Sequence, residues 1–327
     1  MRFLLATFLL FSNFTEAQQS YIDYRSPFHP VINSSGMVVS QNKLSSDIGI
    51  EILNKGGNAV DAAVAVGFSL AITLPRAGNL GGGGFMLVYL KEQKEIFYID
   101  YRSNSPLNSN IKDLFGTDLP KEYKKTNFDK SKYGYKASAV PGTVAGLIEA
   151  HKNFGKLSLA EVLAPVIKQA QEGIEVSYDL SKAIESTPQL FTDSESTRIY
   201  FQDGNPLLEG SVMKRPDLAQ TLTAISNNGI KGFYEGEVAE KIVKAMNLNN
   251  GFMTLEDLKN YKVNAGAPIS INYRGNTVFA PGPPSGGGIV LLTALNILKK
   301  YNFKDEDSNA IRTYHLIAES LRRGHNN

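Results

Sequence analysis

The chain has 327 residues, of which 42% are apolar and 20% charged, so it can bury a sizeable core and is not intrinsically disordered. Its 34 basic and 32 acidic residues give a net charge of +2 without a long basic run, which disfavours a nucleic-acid-binding protein. The chain has no cysteine, which excludes disulfides, thiolate metal sites, iron–sulfur clusters and a cysteine nucleophile.

The first seventeen residues differ in composition from the rest of the chain. Arg2 gives a short positive start, residues 3–11 are mostly apolar, and Thr15 and Ala17 are small residues at a suitable cleavage site. This pattern predicts a cleaved secretory signal peptide at residues 1–17. The apolar run is shorter than the roughly 20 residues needed to cross a bilayer, and no later stretch is long enough. We therefore expect residues 18–327 to be exported to a periplasm or secreted, without a membrane span.

Local sequence patterns predict a mixture of helices and strands along the mature chain. The first part predicts a short strand at Met37–Ser40, a helix ending near Leu53, an Ala-rich buried helix at Ala59–Thr73, and a β-hairpin of Phe85–Leu90 with Ile96–Tyr101. Beyond a polar, irregular region, helices are predicted at Val144–Asn153, Leu159–Glu172, Leu218–Asn227, Glu237–Met246, Leu255–Tyr261, Ile289–Tyr301 and Ser308–Arg322, and strands at Ile269–Tyr273 and Thr277–Ala280. Hairpin strands without a regular β-α-β alternation predict an α+β fold, and the absence of internal repeats or low-complexity linkers favours one domain.

A run of four glycines, Gly81–Gly84, precedes the first strand of the hairpin. Consecutive backbone N–H groups can bind a phosphate group. Nucleotide-binding loops lead into a helix, however, whereas Phe85 begins a strand directly after the glycines, which disfavours nucleotide binding. Two interpretations remain: close packing of one backbone segment against another, and a segment that lines a pocket.

Common metal and serine-hydrolase motifs are absent from the sequence. The four histidines, His29, His151, His315 and His325, are far apart and lack the spacing of a zinc site, so we predict no metal. The chain also lacks Gly-x-Ser-x-Gly. Ser285, which follows two prolines and precedes three glycines, is interpreted as a helix cap.

Arg102 is a candidate binding residue because it follows the second strand of the predicted hairpin, two residues after Asp100. A planar guanidinium can bind a carboxylate through two parallel hydrogen bonds. An arginine at the end of a strand is more often solvated or paired with an acidic side chain. From position alone, both interpretations of Arg102 remain open.

Several segments of the chain together resemble one known family. The segments are Gly56–Ala65, Ala77–Phe85, Asp100–Arg102 with Pro106, Val140–Gly146, Gly232–Gly236 and Pro283–Gly287. They resemble, in the family's order, the large-subunit portion of the gamma-glutamyltranspeptidases. The resemblance runs from about Met37 to about Arg323, which makes it far more specific than any one glycine motif.

The resemblance implies an N-terminal-nucleophile hydrolase fold, a four-layer αββα sandwich made as a precursor that cuts itself into a large and a small subunit. Residues 18–327 then form a single large-subunit-like region that lacks the small-subunit half. In this family the nucleophile is the threonine that begins the small subunit, and no threonine here has a matching context. We therefore expect no catalytic residue in this chain, and no turnover by the chain alone.

The resemblance also implies an activity: transfer or hydrolysis of the γ-glutamyl group of glutathione and other γ-glutamyl compounds. The acceptor is water, an amino acid or a peptide, the partner is a small subunit with an N-terminal threonine, and no cofactor is required. Arg102 matches the family arginine that binds the α-carboxylate of the γ-glutamyl group, a task suited to its fork geometry.

Two further interpretations stay open. Relatives of the same fold act on poly-γ-glutamate or on the side-chain amides of β-lactams, although Arg102 favours a donor with a free α-carboxylate over a cephalosporin-type substrate. Alternatively, the chain is a secreted, non-catalytic remnant or binding protein. That protein would bind glutamate or glutathione and hydrolyse neither.

Overall fold

The computed structural model describes residues 31–110, 114, 132–303 and 310–326. The predicted signal peptide lies outside these ranges. Residues 31–37 belong to a separate N-terminal unit and contain no helix or strand. All elements described below belong to the compact unit that begins at Val38.

Helices make up about half of the described residues of the compact unit. In chain order they are α1 (Lys43–Asn54), α2 (Ala59–Thr73), α3 (Thr143–Phe154), α4 (Leu159–Glu172), α5 (Tyr178–Glu185), α6 (Ser194–Tyr200), α7 (Pro216–Asn228), α8 (Lys231–Tyr234), α9 (Gly236–Leu248), α10 (Leu255–Asn260), α11 (Gly286–Leu298) and α12 (Ile311–His325). Short 3₁₀ helices occur at Tyr135–Ala137 and Pro188–Thr192. Every helix predicted from the sequence is present, whereas α5, α6 and α8 were not predicted.

The strands form small antiparallel sheets. They are β1 (Phe85–Leu90), β2 (Glu95–Asp100), β3 (Ile174–Glu175), β4 (Phe201–Gln202), β5 (Asn205–Pro206), β6 (Val212–Met213), β7 (Asn264–Gly266), β8 (Ile269–Tyr273) and β9 (Asn276–Ala280). The predicted hairpins β1–β2 and β8–β9 are confirmed. The unpredicted strand β7 pairs with β2, which gives a three-stranded sheet of order β1-β2-β7.

The predicted strand at Met37–Ser40 is wrong, because this segment is irregular. The backbone N–H of Ser40 donates to the hydroxyl of Ser46 at 3.1 Å, and the Ser40 hydroxyl donates to the carbonyl of Asn42 at 2.7 Å. These local bonds satisfy polar groups that a sheet would otherwise pair. The segment therefore leads into α1, whose N-cap is Asn42.

Helix α2 lies at the centre of the hydrophobic core and packs against α1, α3 and α4. Phe68 and Ile72 of α2 are fully buried. Val88 of β1 and Ile99 of β2 join the same core, so the sheet presents one face to the helices. The prediction that Ala59–Thr73 forms a helix buried on nearly every side is confirmed, with the same bounds.

Buried hydroxyl groups inside this helical core are hydrogen-bonded to one another. The hydroxyl of Ser45 lies 2.8 Å from that of Ser69 and 2.7 Å from that of Thr73. Ser69 in turn donates to the side-chain oxygen of Gln169 at 2.7 Å. Because each buried polar group has a partner, the network avoids the cost of unpaired groups and fixes how α1, α2 and α4 meet.

The last elements, β8, β9, α11 and α12, pack mainly against one another. Among the described residues, the hydrophobic core that contains α2 extends no further along the chain than Val263. Helix α11 is almost wholly apolar but has only 13 residues. None of the helices described here combines the length and apolar content that crossing a membrane requires.

Candidate functional site

The backbone after β2 is closely packed against the glycine run. A Cβ atom at Gly83 would collide with the backbone of Tyr101 and Ser103, and one at Gly84 would lie 2.9 Å from the Tyr101 ring. Gly84 and Tyr101 also exchange two backbone hydrogen bonds, at 3.0 and 3.3 Å. The close-packing interpretation of the glycine run is therefore confirmed at these two positions.

The start of α3 approaches the same backbone from another side. A Cβ atom at Gly142 would collide with the carbonyl oxygen of Tyr101 and the hydroxyl of Tyr261, and one at Gly146 would collide with the Tyr101 side chain. The N–H groups of Gly142 and Thr143 both donate to the carbonyl of Gly82, at 2.7 and 3.1 Å. The glycine run, the segment after β2 and the start of α3 are thus joined into one structure.

Arg102 lies within this structure and its main chain is bonded on both sides. Its N–H donates to a carboxylate oxygen of Asp100 at 2.9 Å, and its carbonyl accepts from the hydroxyl of Tyr261 at 2.9 Å. The Arg102 side chain is exposed, and no ion pair joins its guanidinium to a carboxylate of the described residues. The arrangement therefore offers an available cation on a restrained backbone, which suits the binding of a carboxylate.

Two stacked tyrosines support this backbone. The rings of Tyr234 and Tyr261 lie 5.8 Å apart with an interplanar angle of 11°. The Tyr234 hydroxyl donates to the carbonyl of Pro141 at 2.8 Å and accepts from the N–H of Ala145 at 3.3 Å. Burial, with a smaller contribution from Asp100, raises the pKa of Tyr261 to about 12, and burial also raises the pKa of Tyr234. The Tyr261 hydroxyl is therefore protonated, and able to donate, at neutral pH.

Sequence analysis missed the tyrosines because no local pattern links them to Arg102. Tyr261 lies 159 residues beyond Arg102 in the sequence. The only indication in the sequence was the choice of glycine at positions 142 and 146, where the side chain of any other residue would collide with its neighbours. That signal indicates close packing and does not identify the group that approaches.

A second cluster, centred on the fully buried Asp61, is structural. Its carboxylate accepts backbone hydrogen bonds from Asn58 at 2.9 Å, Lys156 at 3.0 Å and Leu157 at 3.3 Å. With Asn58 it forms a capping box at the start of α2. His151 lies beside it, with Nε2 2.9 Å from the Leu157 carbonyl and 3.7 Å from an Asp61 oxygen. The cluster joins α2 to the loop between α3 and α4.

The other residues singled out from the sequence lie away from Arg102's backbone contacts. Ser285 is the N-cap of α11 and accepts from the N–H of Gly288 at 3.3 Å, which confirms its interpretation as a helix cap. His315 lies on α12 and His29 lies outside the described residues. In the part of the chain that the structure describes, no group of three histidine or acidic side chains is placed to hold a metal ion.

Comparison with known proteins gives a consistent family assignment. The model of the family described as Gamma-glutamyltranspeptidase matches residues 45–326. The glutathione hydrolase proenzyme of Escherichia coli strain K12 is 39% identical over 295 residues, which cover 90% of this chain and 50% of that protein. This chain thus spans about half the length of the curated relatives that it matches.

Solved structures show the same relationship. The gamma-glutamyltranspeptidase of Helicobacter pylori is 36% identical with a TM-score of 0.84, covering 90% of this chain and 84% of that chain. A cephalosporin acylase from Bacillus halodurans is 28% identical with a TM-score of 0.81, covering 93% of this chain and 57% of that one. These neighbours confirm the α+β class and the N-terminal-nucleophile hydrolase fold type.

Proposed function

Because the chain belongs to the gamma-glutamyltranspeptidase family, we propose that it provides the carboxylate-binding part of an enzyme that transfers or hydrolyses γ-glutamyl groups. One observation carries the proposal: Arg102 combines an exposed guanidinium with a main chain bonded on both sides. The α-carboxylate of a γ-glutamyl donor is a suitable ligand, because a guanidinium can bind it through two parallel hydrogen bonds.

Glutathione is the proposed donor, as the names of the curated relatives support. The hydroxyl of a threonine in the other half of the enzyme attacks the γ-glutamyl carbonyl, the amide bond breaks, and the departing amine takes a proton. Water, an amino acid or a peptide amine then attacks the resulting ester and releases the threonine. The role of Arg102 is to hold the donor, so this chain contributes binding and orientation.

The partner that we propose is the nucleophile-bearing half of the precursor, docked on the sheet face opposite the helices. Leu87 and Tyr89 are 40% and 59% exposed on that face, which favours coverage by another apolar surface. Tyr98 lies on the same face, opposite Leu87 in the β1–β2 register, and its buried hydroxyl has no hydrogen-bond partner among the described residues. A second sheet packed there would complete the αββα sandwich.

We place this enzyme outside the cytoplasm, with residues 1–17 acting as the signal peptide and residues 18–327 as the large-subunit-like region. The composition of the first seventeen residues supports this location. Sequencing the N-terminus of the protein purified from its host tests it directly. A mature chain that begins near Gln18 is expected, and one that retains Met1 would contradict it.

The role of Arg102 is tested on the complete two-part enzyme with a pair of anilide substrates. One is γ-glutamyl anilide and the other is 4-aminobutanoyl anilide, which lacks only the α-carboxylate. Arg102→Ala should lower kcat/KM for γ-glutamyl anilide by about 10- to 100-fold, as for a lost hydrogen bond to a charged group. Arg102→Lys should recover part of the loss, because it restores the charge without the fork.

The two substrates separate the possible results. Activity toward 4-aminobutanoyl anilide should change little in either variant, because that substrate has no carboxylate for the guanidinium. Equal activity of Arg102→Ala and the unmodified enzyme toward γ-glutamyl anilide would contradict the role of Arg102. A complete enzyme that turns over poly-γ-glutamate or a glutaryl amide but not glutathione would favour the acylase alternative. Binding of glutathione without turnover would favour the non-catalytic one.

A further inference from the structure

We propose that Tyr261 is a positioning residue that sets the binding geometry of Arg102 through the backbone. The inference rests on the proposed function, in which Arg102 binds the α-carboxylate of the donor. Tyr261 is the residue directly after α10. Its hydroxyl donates to the carbonyl oxygen of Arg102 at 2.9 Å. It acts on the donor only through Arg102.

The position of the Tyr261 hydroxyl is itself tightly defined. Tyr261 is only 8% exposed, and its ring stacks on that of Tyr234. Gly142 provides the space that the hydroxyl occupies, because a Cβ atom there would collide with it. Stacking on one side and a glycine on the other leave the hydroxyl little freedom, so the Arg102 carbonyl is held in one place.

Arg102 needs such an anchor because it lies beyond the last residue of β2. Asp100 bonds its N–H, but the carbonyl on the other side of the residue depends on Tyr261. Without that bond the main chain of Arg102 keeps only the hydrogen bond to Asp100, and the greater freedom of this backbone would let the side chain leave its binding orientation. Binding of a carboxylate through two parallel bonds is sensitive to such a change, because both N–H groups must face it together.

The test is Tyr261→Phe in the complete two-part enzyme, because phenylalanine keeps the stacked ring and removes only the hydroxyl. We expect KM for γ-glutamyl anilide to rise about 10-fold, the size of one lost hydrogen bond, while kcat changes less than about 2-fold. Activity toward 4-aminobutanoyl anilide should stay near that of the unmodified enzyme. A general structural defect would instead lower activity toward both substrates in the same proportion.

Tyr135→Phe is the matched control. Its hydroxyl donates to Asp193 at 2.9 Å, so the substitution also removes one tyrosine hydrogen bond. That bond involves neither Arg102 nor the residues that bond its backbone. It should leave the preference between the two substrates unchanged. A second variant, Asp100→Asn, keeps an oxygen acceptor for the Arg102 N–H but removes its charge. It should raise KM for γ-glutamyl anilide in the same direction by about 3-fold.

Failure of this inference can be told apart from failure of the proposed function. If Arg102→Ala abolishes the preference for γ-glutamyl anilide and Tyr261→Phe leaves it intact, Tyr261 does not position Arg102. An equal loss on both substrates in Tyr261→Phe would overturn the inference in the same way. If Arg102→Ala itself has no effect, the proposed binding role fails first, and the inference fails with it.

Discussion

Helices α2 and α11 have nearly the same apolar character but very different surroundings. In α2, side chains such as Phe68 and Ile72 are fully buried because α1, α3 and α4 surround the helix. In α11, which packs chiefly against α12 and the β8–β9 hairpin, Leu291 is 44% exposed. An apolar sequence therefore predicts that a helix can be buried, while its neighbours decide whether it is.

The same contrast separates two parts of the compact unit. The first part, residues 38–266, contains the continuous core, the Asp61 cluster and Arg102. The C-terminal part, residues 269–326, leaves apolar side chains such as Ile311 on α12 88% exposed. Exposed apolar surface of this kind is typical of interaction sites. We infer that the first part depends more on its own packing for stability than the C-terminal part does.

The largest expected effect is at Asp61, in the first part. Asp61→Ala removes a fully buried carboxylate that accepts from the N–H groups of Lys156 and Leu157, so the free energy of unfolding should fall by about 4 kcal/mol. Urea denaturation measures the loss. The matched control is Asp179→Ala, which breaks an exposed ion pair with Arg76 and should cost less than about 0.5 kcal/mol. Similar small losses in both variants would argue against Asp61 as a main support of the first part.

A pair of glycine substitutions compares the two parts directly. Gly142→Ala places a Cβ atom against the Tyr101 carbonyl and the Tyr261 hydroxyl, so it should destabilise the protein by about 3 kcal/mol. Gly287→Ala in α11 meets open space in an early helical position and should stabilise the protein by up to about 1 kcal/mol. Thermal unfolding of both variants gives the two shifts. Destabilisation of equal size by both would show that α11 is covered more closely than its exposure indicates.

The smallest expected effect is the response of the first part to high pH. Burial raises the pKa of Tyr261 to about 12, above the ordinary tyrosine value of about 10 in the unfolded chain. The folded state then holds more protons between these values, so the stabilisation is complete below pH 10 and is lost as the pH rises toward 12. The melting temperature of Tyr261→Phe should therefore fall less steeply over this range. Parallel curves for the two proteins would exclude this contribution of Tyr261.

Much of the fold could be predicted because its signals are local. The bounds of α2 follow from its apolar, Ala-rich composition and those of α4 from apolar spacing. Ser285 is interpreted as a cap from its place before a helix. The predicted strand at Met37–Ser40 failed because the backbone N–H of Ser40 and the carbonyl of Asn42 bond to serine hydroxyl groups in place of a neighbouring strand. Strand β7 was missed because its three residues, Asn264–Gly266, are too short to show a periodic pattern.

By itself, the sequence determined the α+β class, most helices and the β1–β2 and β8–β9 hairpins. Its ordered motifs also identified the family and singled out Arg102. Tertiary structure alone decided that Tyr261 would reach the Arg102 carbonyl, that Asp61 would bond the loop after α3, and that the equally apolar α11 would stay partly exposed. The physical reason is how far apart in the sequence the interacting residues lie. Periodicity and capping depend on residues a few positions apart, whereas these contacts join segments that only packing of the whole chain brings together.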